Sequence, residues 1–332
     1  MWRSCQRTVW VGVLILPFLL APGFEGVGRT EAVHFKALSF HPVNHPQAAL
    51  IPKYIDMVKE KTKGEVVIDL LGGPEVIPAF EQVKAVQRGK AIDLTFIVTS
   101  RYEAIVPEAA TTSLSKILPW EERESGYLDA LVEAHKKANL MYLGRWLYSP
   151  FHIWTKKPVA KLEDLKGLRI RTGALYDRFM KKIGIVPVSV APAEVYVALE
   201  RGMVDGFGWP ILGARQDGWT TKVKYLIGHS FYNQNAVILV NLENWDKLKP
   251  ELQKAIREVS GTFEREMVDY FKKEIDKEFK ILKEQEGIKV VEFSPAEADL
   301  YVNTAYESLA EVLAQKIAPD VMKKLRETSD KR

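Results

Sequence analysis

Between residues 250 and 287 the apolar side chains Leu252, Ile256, Val259, Phe263, Met267, Phe271, Ile275, Phe279 and Leu282 recur at three- and four-residue intervals, the period of one helix face. At 1.5 Å per residue such a helix runs roughly 55 Å. That is longer than one small lobe needs, so the stripe is expected to brace two bodies at once, unless Ser260-Gly261 kinks it into shorter pieces. The 332 residues also exceed what one hydrophobic core usually organises. Two lobes of one protein satisfy both constraints.

The opening elements set the class. Residues 33–40 are β-rich, the next segment places Leu50, Ile51, Tyr54, Ile55 and Val58 on one helix face, and residues 65–71 read as a strand. This β-α-β start predicts an α/β sheet. Pro52 sits inside the helix and is expected to kink it or shift its start. A helix over residues 80–87 stops at Gly89 and leads into a strand over 92–98. The same helix-glycine-acid-strand order returns from Leu199 to Phe207 through Gly202 and Asp205, which suggests two lobes of related construction.

Between these units the pattern gives a helix over 122–138, strands over 141–148 and 151–155, and a polar turn at Lys156-Lys157-Pro158. The chain is expected to cross between lobes at that turn or just before it. A strand over 168–172, a helix over 174–183 ended by Gly184 and a strand over 186–190 follow. The apolar strand over 236–242 is expected to be the return crossing. Ser294 and Glu297 form a capping-box pattern for a final helical region. The expected division is a leader over residues 1–32, a first lobe of 33–150 with 240–270, and a second lobe of 151–239 with 271–332.

The leader reads as an export signal, because Arg3 and Arg7 precede an apolar run over 9–21 and no acid appears before Glu25. That run is short for a membrane span. Cleavage is expected at Thr30-Glu31-Ala32, with Ala21-Pro22-Gly23 as an earlier alternative, leaving a periplasmic chain without stable membrane insertion. The only cysteine, Cys5, falls in the leader, so the mature chain has no disulfide or thiolate chemistry. Residues 1–32 hold three arginines and two glutamates of the 47 basic and 43 acidic residues, which leaves 44 and 41. So even and dispersed a charge gives no ground for a nucleic-acid partner.

Enzyme signatures are missing. Histidines stand at 34, 41, 45, 135, 152 and 229, none in a His-Glu-x-x-His pattern, and Pro42 interrupts the helical spacing of His41 and His45. There is no Gly-x-Ser-x-Gly elbow or phosphate-cradling lysine loop, and Gly72-Gly73-Pro74 reads as a turn. No catalytic residue, metal ligand or cofactor is expected.

Residues 165–210 contain Leu-Lys-Gly-Leu-Arg-Ile-Arg-Thr and then, from Glu194, Glu-Val-Tyr-Val-Ala-Leu-Glu-Arg-Gly-Met-Val-Asp-Gly-Phe-Gly-Trp-Pro. Over this stretch, and more weakly over Asp93-Leu-Thr-Phe, Pro107-Glu-Ala and residues 245–256, the chain resembles the substrate-binding subunits of tripartite ATP-independent periplasmic (TRAP) transporters. The resemblance implies a two-lobed α/β periplasmic solute-binding fold with a hinge, a small organic carboxylate as ligand and TRAP membrane permease subunits as partners. It places at Arg171 the arginine that pairs with the ligand carboxylate. The residue type suits the task, since a guanidinium offers a planar fork to two oxygens and stays charged when water leaves. Arg169 should point to the opposite face of the strand.

The resemblance also implies a ligand-facing Trp209. Phe207 beside it suggests an aromatic wall, with core filling as its alternative role. Gly208 stands where several members have a polar or acidic residue, which speaks against a metal bridge. Alignment by the Lys59-Glu60-Lys61 helix and the Asp93 strand places Phe40, His41, Thr99, Ser100 and Tyr102 near the cleft. Phe151 and His152 fall near a second polar site, where some members carry an arginine that this chain lacks. With no second fixed cation in view, the expected ligand is a small organic monocarboxylate of the 2-oxo, 2-hydroxy or aromatic kind. A C4-dicarboxylate binder and a sensor module that captures ligand for a receptor are the alternatives.

Overall fold

The computed structural model describes residues 31–234 and 236–330. The expected export segment, with Arg3, Arg7 and Cys5, lies outside the described residues. In chain order the elements are β1 (Val33–Ser39), α1 (Ile51–Lys61), β2 (Val66–Gly72), α2 (Ala79–Arg88), β3 (Leu94–Val98), α3 (Pro119–Glu124), α4 (Tyr127–Lys136) and β4 (Leu140–Leu147). Then come β5 (Phe151–Thr155), β6 (Arg169–Thr172), α5 (Asp177–Lys182), β7 (Val186–Ser189), α6 (Val195–Glu200), β8 (Gly206–Pro210) and β9 (Tyr225–Ile227). The chain closes with β10 (Ala236–Asn241), α7 (Leu242–Asp246), α8 (Pro250–Glu284), β11 (Lys289–Val291), α9 (Pro295–Leu313) and α10 (Pro319–Ser329).

The strands form two sheets, one per lobe. In the first, ordered β2-β1-β3-β10-β4, β1 runs parallel to β2 and β3, and β10 runs antiparallel to β3 and β4. In the second, ordered β11-β9-β5-β8-β6-β7, β6 runs parallel to β7 and β8, and β5 runs antiparallel to β8 and β9. The fold is thus a two-lobed α/β architecture. Strands β3, β4 and β10 are buried along their whole length, which explains their largely apolar sequences, interrupted by Thr95 and by Arg145.

Helix α8 is continuous through Ser260-Gly261. Ser260 Oγ donates back to the Ile256 carbonyl at 3.0 Å and shares a hydrogen bond of 2.9 Å with Tyr54 on α1, which ties the helix to the first lobe. Its later turns serve the second lobe. There Glu278 accepts two hydrogen bonds from Arg215 at 2.7 and 2.9 Å, and Phe279 meets the His152 ring edge-on. One rigid rod therefore spans both bodies. Nearer its start, buried Glu264 takes Arg123 and the backbone N–H of Arg145, while Arg145 itself pairs with Glu122.

Several sequence expectations need correction. Pro52 does not kink α1; it sits at the second helical position, where no intrahelical donor is required. The helix expected over 122–138 is two helices, α3 and α4, because the chain turns at Gly126 with φ of 83°. Strand β10 lies inside the first sheet, so residues 236–239 belong there and the return passage precedes them. Gln234 N–H donates to Ser149 O at 2.8 Å and Phe151 N–H to Tyr232 O at 2.7 Å, so the outgoing and returning strands run side by side. The final helix α10 was expected with the second lobe, yet Leu325 packs with Val83, Tyr127 and Leu131 of the first. Strands β9 and β11, three residues each, are too short to leave a period in the sequence.

Candidate functional site

The carboxyl ends of β1, β3, β6, β7 and β8 converge on one cavity of about 390 Å³, the position where open α/β sheets expose backbone and side chains to a ligand. From the first lobe come Phe40, just beyond β1, Phe80 at the start of α2, and Thr99, Ser100 and Arg101. These last three occupy a single 3-10 turn that follows β3, so consecutive side chains reach the same space. From the second lobe come Arg171, Thr172, Tyr176, residues 189–192, Trp209 and Phe151, with Gln234 at the crossing.

Alternation along β6 separates its two arginines. Arg169 points outward and grips Asp205 with hydrogen bonds of 3.0 and 3.1 Å; those bonds hold the Asp205 carboxyl below its ordinary range. Arg171 points inward and is only 5% exposed. Its Nε donates to Val190 O at 3.0 Å, its Nη1 to Tyr176 Oη at 3.4 Å, and its guanidinium lies 5.1 Å from the centroid of the Trp209 ring. Among the described residues no carboxylate pairs with it. A charged group so deep and without a carboxylate beside it is costly to enclose, which makes it the candidate anion-binding element of this cavity.

Tyr176 sets that element in place. Its hydroxyl donates to Gly208 O at 2.9 Å while accepting from Arg171. A Cβ on Gly208 would lie 2.8 Å from the tyrosine ring. Glycine is required at 208 because the Tyr176 ring occupies the space that a side chain would fill.

Of the residues singled out in the sequence, the structure brings Arg171, Trp209, Phe40, Thr99, Ser100 and Phe151 to the cavity wall. It places the other four elsewhere. Phe207 shares the inward face of β8 with Trp209 but is wholly buried one pleat deeper, stacked on Trp154 at 5.4 Å and against Trp219. Tyr102 turns into the first-lobe core and shares a hydrogen bond of 3.0 Å with His135. His41 is stacked on His45 at 4.4 Å, and His152 uses Nδ1 on Ile227 O at 2.9 Å. All four contribute to packing rather than to the cavity.

Sequence reasoning missed Arg101, Phe80, Tyr176 and Gln234. Arg101 matters most, since the expectation of a single fixed cation is overturned by it. Its guanidinium carbon lies 4.3 Å from the Phe80 ring centroid and 5.3 Å from that of Phe40, and its Nε has no hydrogen-bond partner among the described residues. Burial and then the Arg171 charge pull its pKa below the ordinary value. Adjacency to Thr99-Ser100 was the one available signal, because a 3-10 turn delivers all three together.

Two α/β lobes meeting over a cavity with a buried, anion-free arginine define a ligand-capturing protein of the two-lobed periplasmic type. Residues 39–316 match the family described as bacterial extracellular solute-binding protein, family 7, and the chain belongs to it. Similar folds include a TRAP periplasmic solute-binding protein from Desulfovibrio salexigens with bound orotic acid, at TM-score 0.78 and 18% identity over 89% of this chain and 98% of that one. Another is DctP7, a Bordetella pertussis extracytoplasmic solute receptor binding pyroglutamic acid, at TM-score 0.75 and 20% identity over 90% and 100%. The 2,3-diketo-L-gulonate-binding periplasmic protein YiaO of Escherichia coli is 26% identical over 228 residues, 65% of this chain and 69% of its own length. Among the described residues no helix is long and apolar enough to cross a membrane.

Proposed function

We propose that this protein captures a small organic carboxylate between its lobes, outside the cytoplasm, and delivers it to a TRAP-type membrane permease without chemical change. Arg171 carries the reading: a buried guanidinium, fixed by Val190 and Tyr176 and backed by Trp209, faces a cavity with no anion of its own. The walls from Phe40, Phe80, Phe151 and Trp209 favour a flat or apolar body, as in 2-oxo, 2-hydroxy or aromatic acids. The similar proteins bind orotic acid, pyroglutamic acid and 2,3-diketo-L-gulonate, and all three carry an acidic function, which supports the same class here. The restriction to monocarboxylates rested on the lack of a second cation, and Arg101 removes that ground.

In this account the lobes swing about the paired crossings and the solute joins residues of both, so closure draws on contacts made only when it is bound. A thermal-shift screen over organic acids tests the class. A solute at a hundred times its Kd adds about 2.7 kcal/mol of stability, and at least one acid is expected to raise the melting temperature. A response to neutral sugars and none to any acid would overturn the reading.

A further inference from the structure

The cavity holds two guanidinium groups from opposite lobes, Arg101 and Arg171, and neither has an ion-pair partner among the described residues. Glu103 stands two residues beyond Arg101 and feels its charge, but forms no ion pair with it. What surrounds Arg101 instead is aromatic: Phe80 and Phe40 present their faces to it at the cavity wall. Stacking of this kind holds a guanidinium in place while leaving its N–H edge free to donate. The Arg101 Nε is buried with no hydrogen-bond partner among the described residues, so the polar demand of the group is not met within the protein.

Charge arithmetic follows. A solute with one carboxylate can neutralise Arg171 and would leave the Arg101 charge to be enclosed uncompensated as the lobes meet, which is costly in a site that excludes water. A second anionic group on the same solute removes that cost and gains a charge-assisted hydrogen bond. We propose, building on the organic-acid reading above, that Arg101 is a specificity-determining residue that takes a second anionic group of the solute, so that acids with two anionic groups are preferred over matched monoanions. Because Arg101 and Arg171 belong to different lobes, such a solute also bridges them, and its second charge is what draws the first lobe onto the second.

The test uses matched pairs of solutes, benzoate with isophthalate and butanoate with succinate, titrated by calorimetry into the wild-type protein, Arg101→Met and Arg171→Met, with melting curves to verify that each variant is folded. The expected result is that in at least one pair the dianion binds the wild type at least tenfold more tightly, and that rising sodium chloride shrinks this ratio. Arg101→Met is expected to reduce the dianion's affinity at least tenfold and to leave the monoanion's no lower than in the wild type, because the charge that a monoanion left uncompensated is gone, so the preference disappears. Equal losses for both members of a pair, no loss for the dianion, or a wild-type preference for monoanions in both pairs would overturn the role of Arg101. The organic-acid reading fails separately, by Arg171→Met binding every acid as tightly as the wild type does.

Discussion

Arg171 stands beside Phe207 in the register of β6 and β8, and its guanidinium reaches along β8 to lie 5.1 Å from the Trp209 ring centroid. The indole is itself pinned edge-on against Trp219 at 5.1 Å. The arginine is therefore oriented before any solute arrives, and less rotamer freedom is lost on binding. Cation–π contacts of this kind contribute about 0.5–2 kcal/mol. Trp209→Leu should accordingly weaken acid binding by roughly 2- to 30-fold in calorimetry; because the indole is buried against Trp219, the variant should also melt at a lower temperature without ligand, so binding is compared where both proteins are folded.

Gly208 gives a sharper prediction. Alanine there would press on the Tyr176 ring, since the added carbon would lie 2.8 Å from it. The tyrosine would have to abandon Gly208 O or its contact with Arg171. Gly208→Ala is expected to cost about 1–3 kcal/mol of stability from overpacking, measured by urea denaturation, with weaker acid binding alongside. Tyr176→Phe, which removes the hydroxyl and keeps the ring, should weaken binding with a smaller loss of stability.

Acid should unfold the protein through its buried histidines. Burial pushes His135 and His152 down to about 4, the carbonyls of Leu131 and Ile227 opposing only in part. A histidine depressed in the folded state stays neutral there while the unfolded chain takes up a proton below about 6.5. Stability is thus complete above pH 6.5 and falls as pH drops toward 4. Each residue accounts for about 2 kcal/mol lost between pH 7 and pH 5. Urea titrations at the two pH values should show this loss, and His135→Gln or His152→Gln should each lessen the pH dependence by one such step.

The buried charges where α3 and β4 meet α8 should behave as a unit. Glu264 accepts from Arg123 and from Arg145 N–H at 2.8 Å. Removing it leaves Arg123 without that partner, so Glu264→Ala should cost about 3–5 kcal/mol. Glu264→Gln, which keeps an acceptor, should cost less. Chemical denaturation of the two variants separates the charge from the hydrogen bonds.

How much of this the sequence revealed depends on whether a feature is local. The long stripe on α8, the glycine stops at 89 and 202 and the alternation of Arg169 and Arg171 are written in short periods, and all are legible there. The inward face of β8 was legible too, but depth was not: Phe207 and Trp209 share a parity, and only packing against Trp154 makes the first a core residue. Tyr102 and His135 are 33 residues apart, and nothing in either neighbourhood announces their hydrogen bond. Arg101 was invisible for a related reason. Its meaning comes from Phe40, Phe80 and Arg171, which the fold gathers from three separate elements.

The central claim is that Arg171 anchors the carboxylate of an organic acid. Isothermal titration of the wild type and of folded Arg171→Ala with an acid that stabilises the wild type tests it most directly. Loss of a buried charge-assisted pair should lower affinity by roughly two orders of magnitude or more. Unchanged affinity in Arg171→Ala would contradict the account.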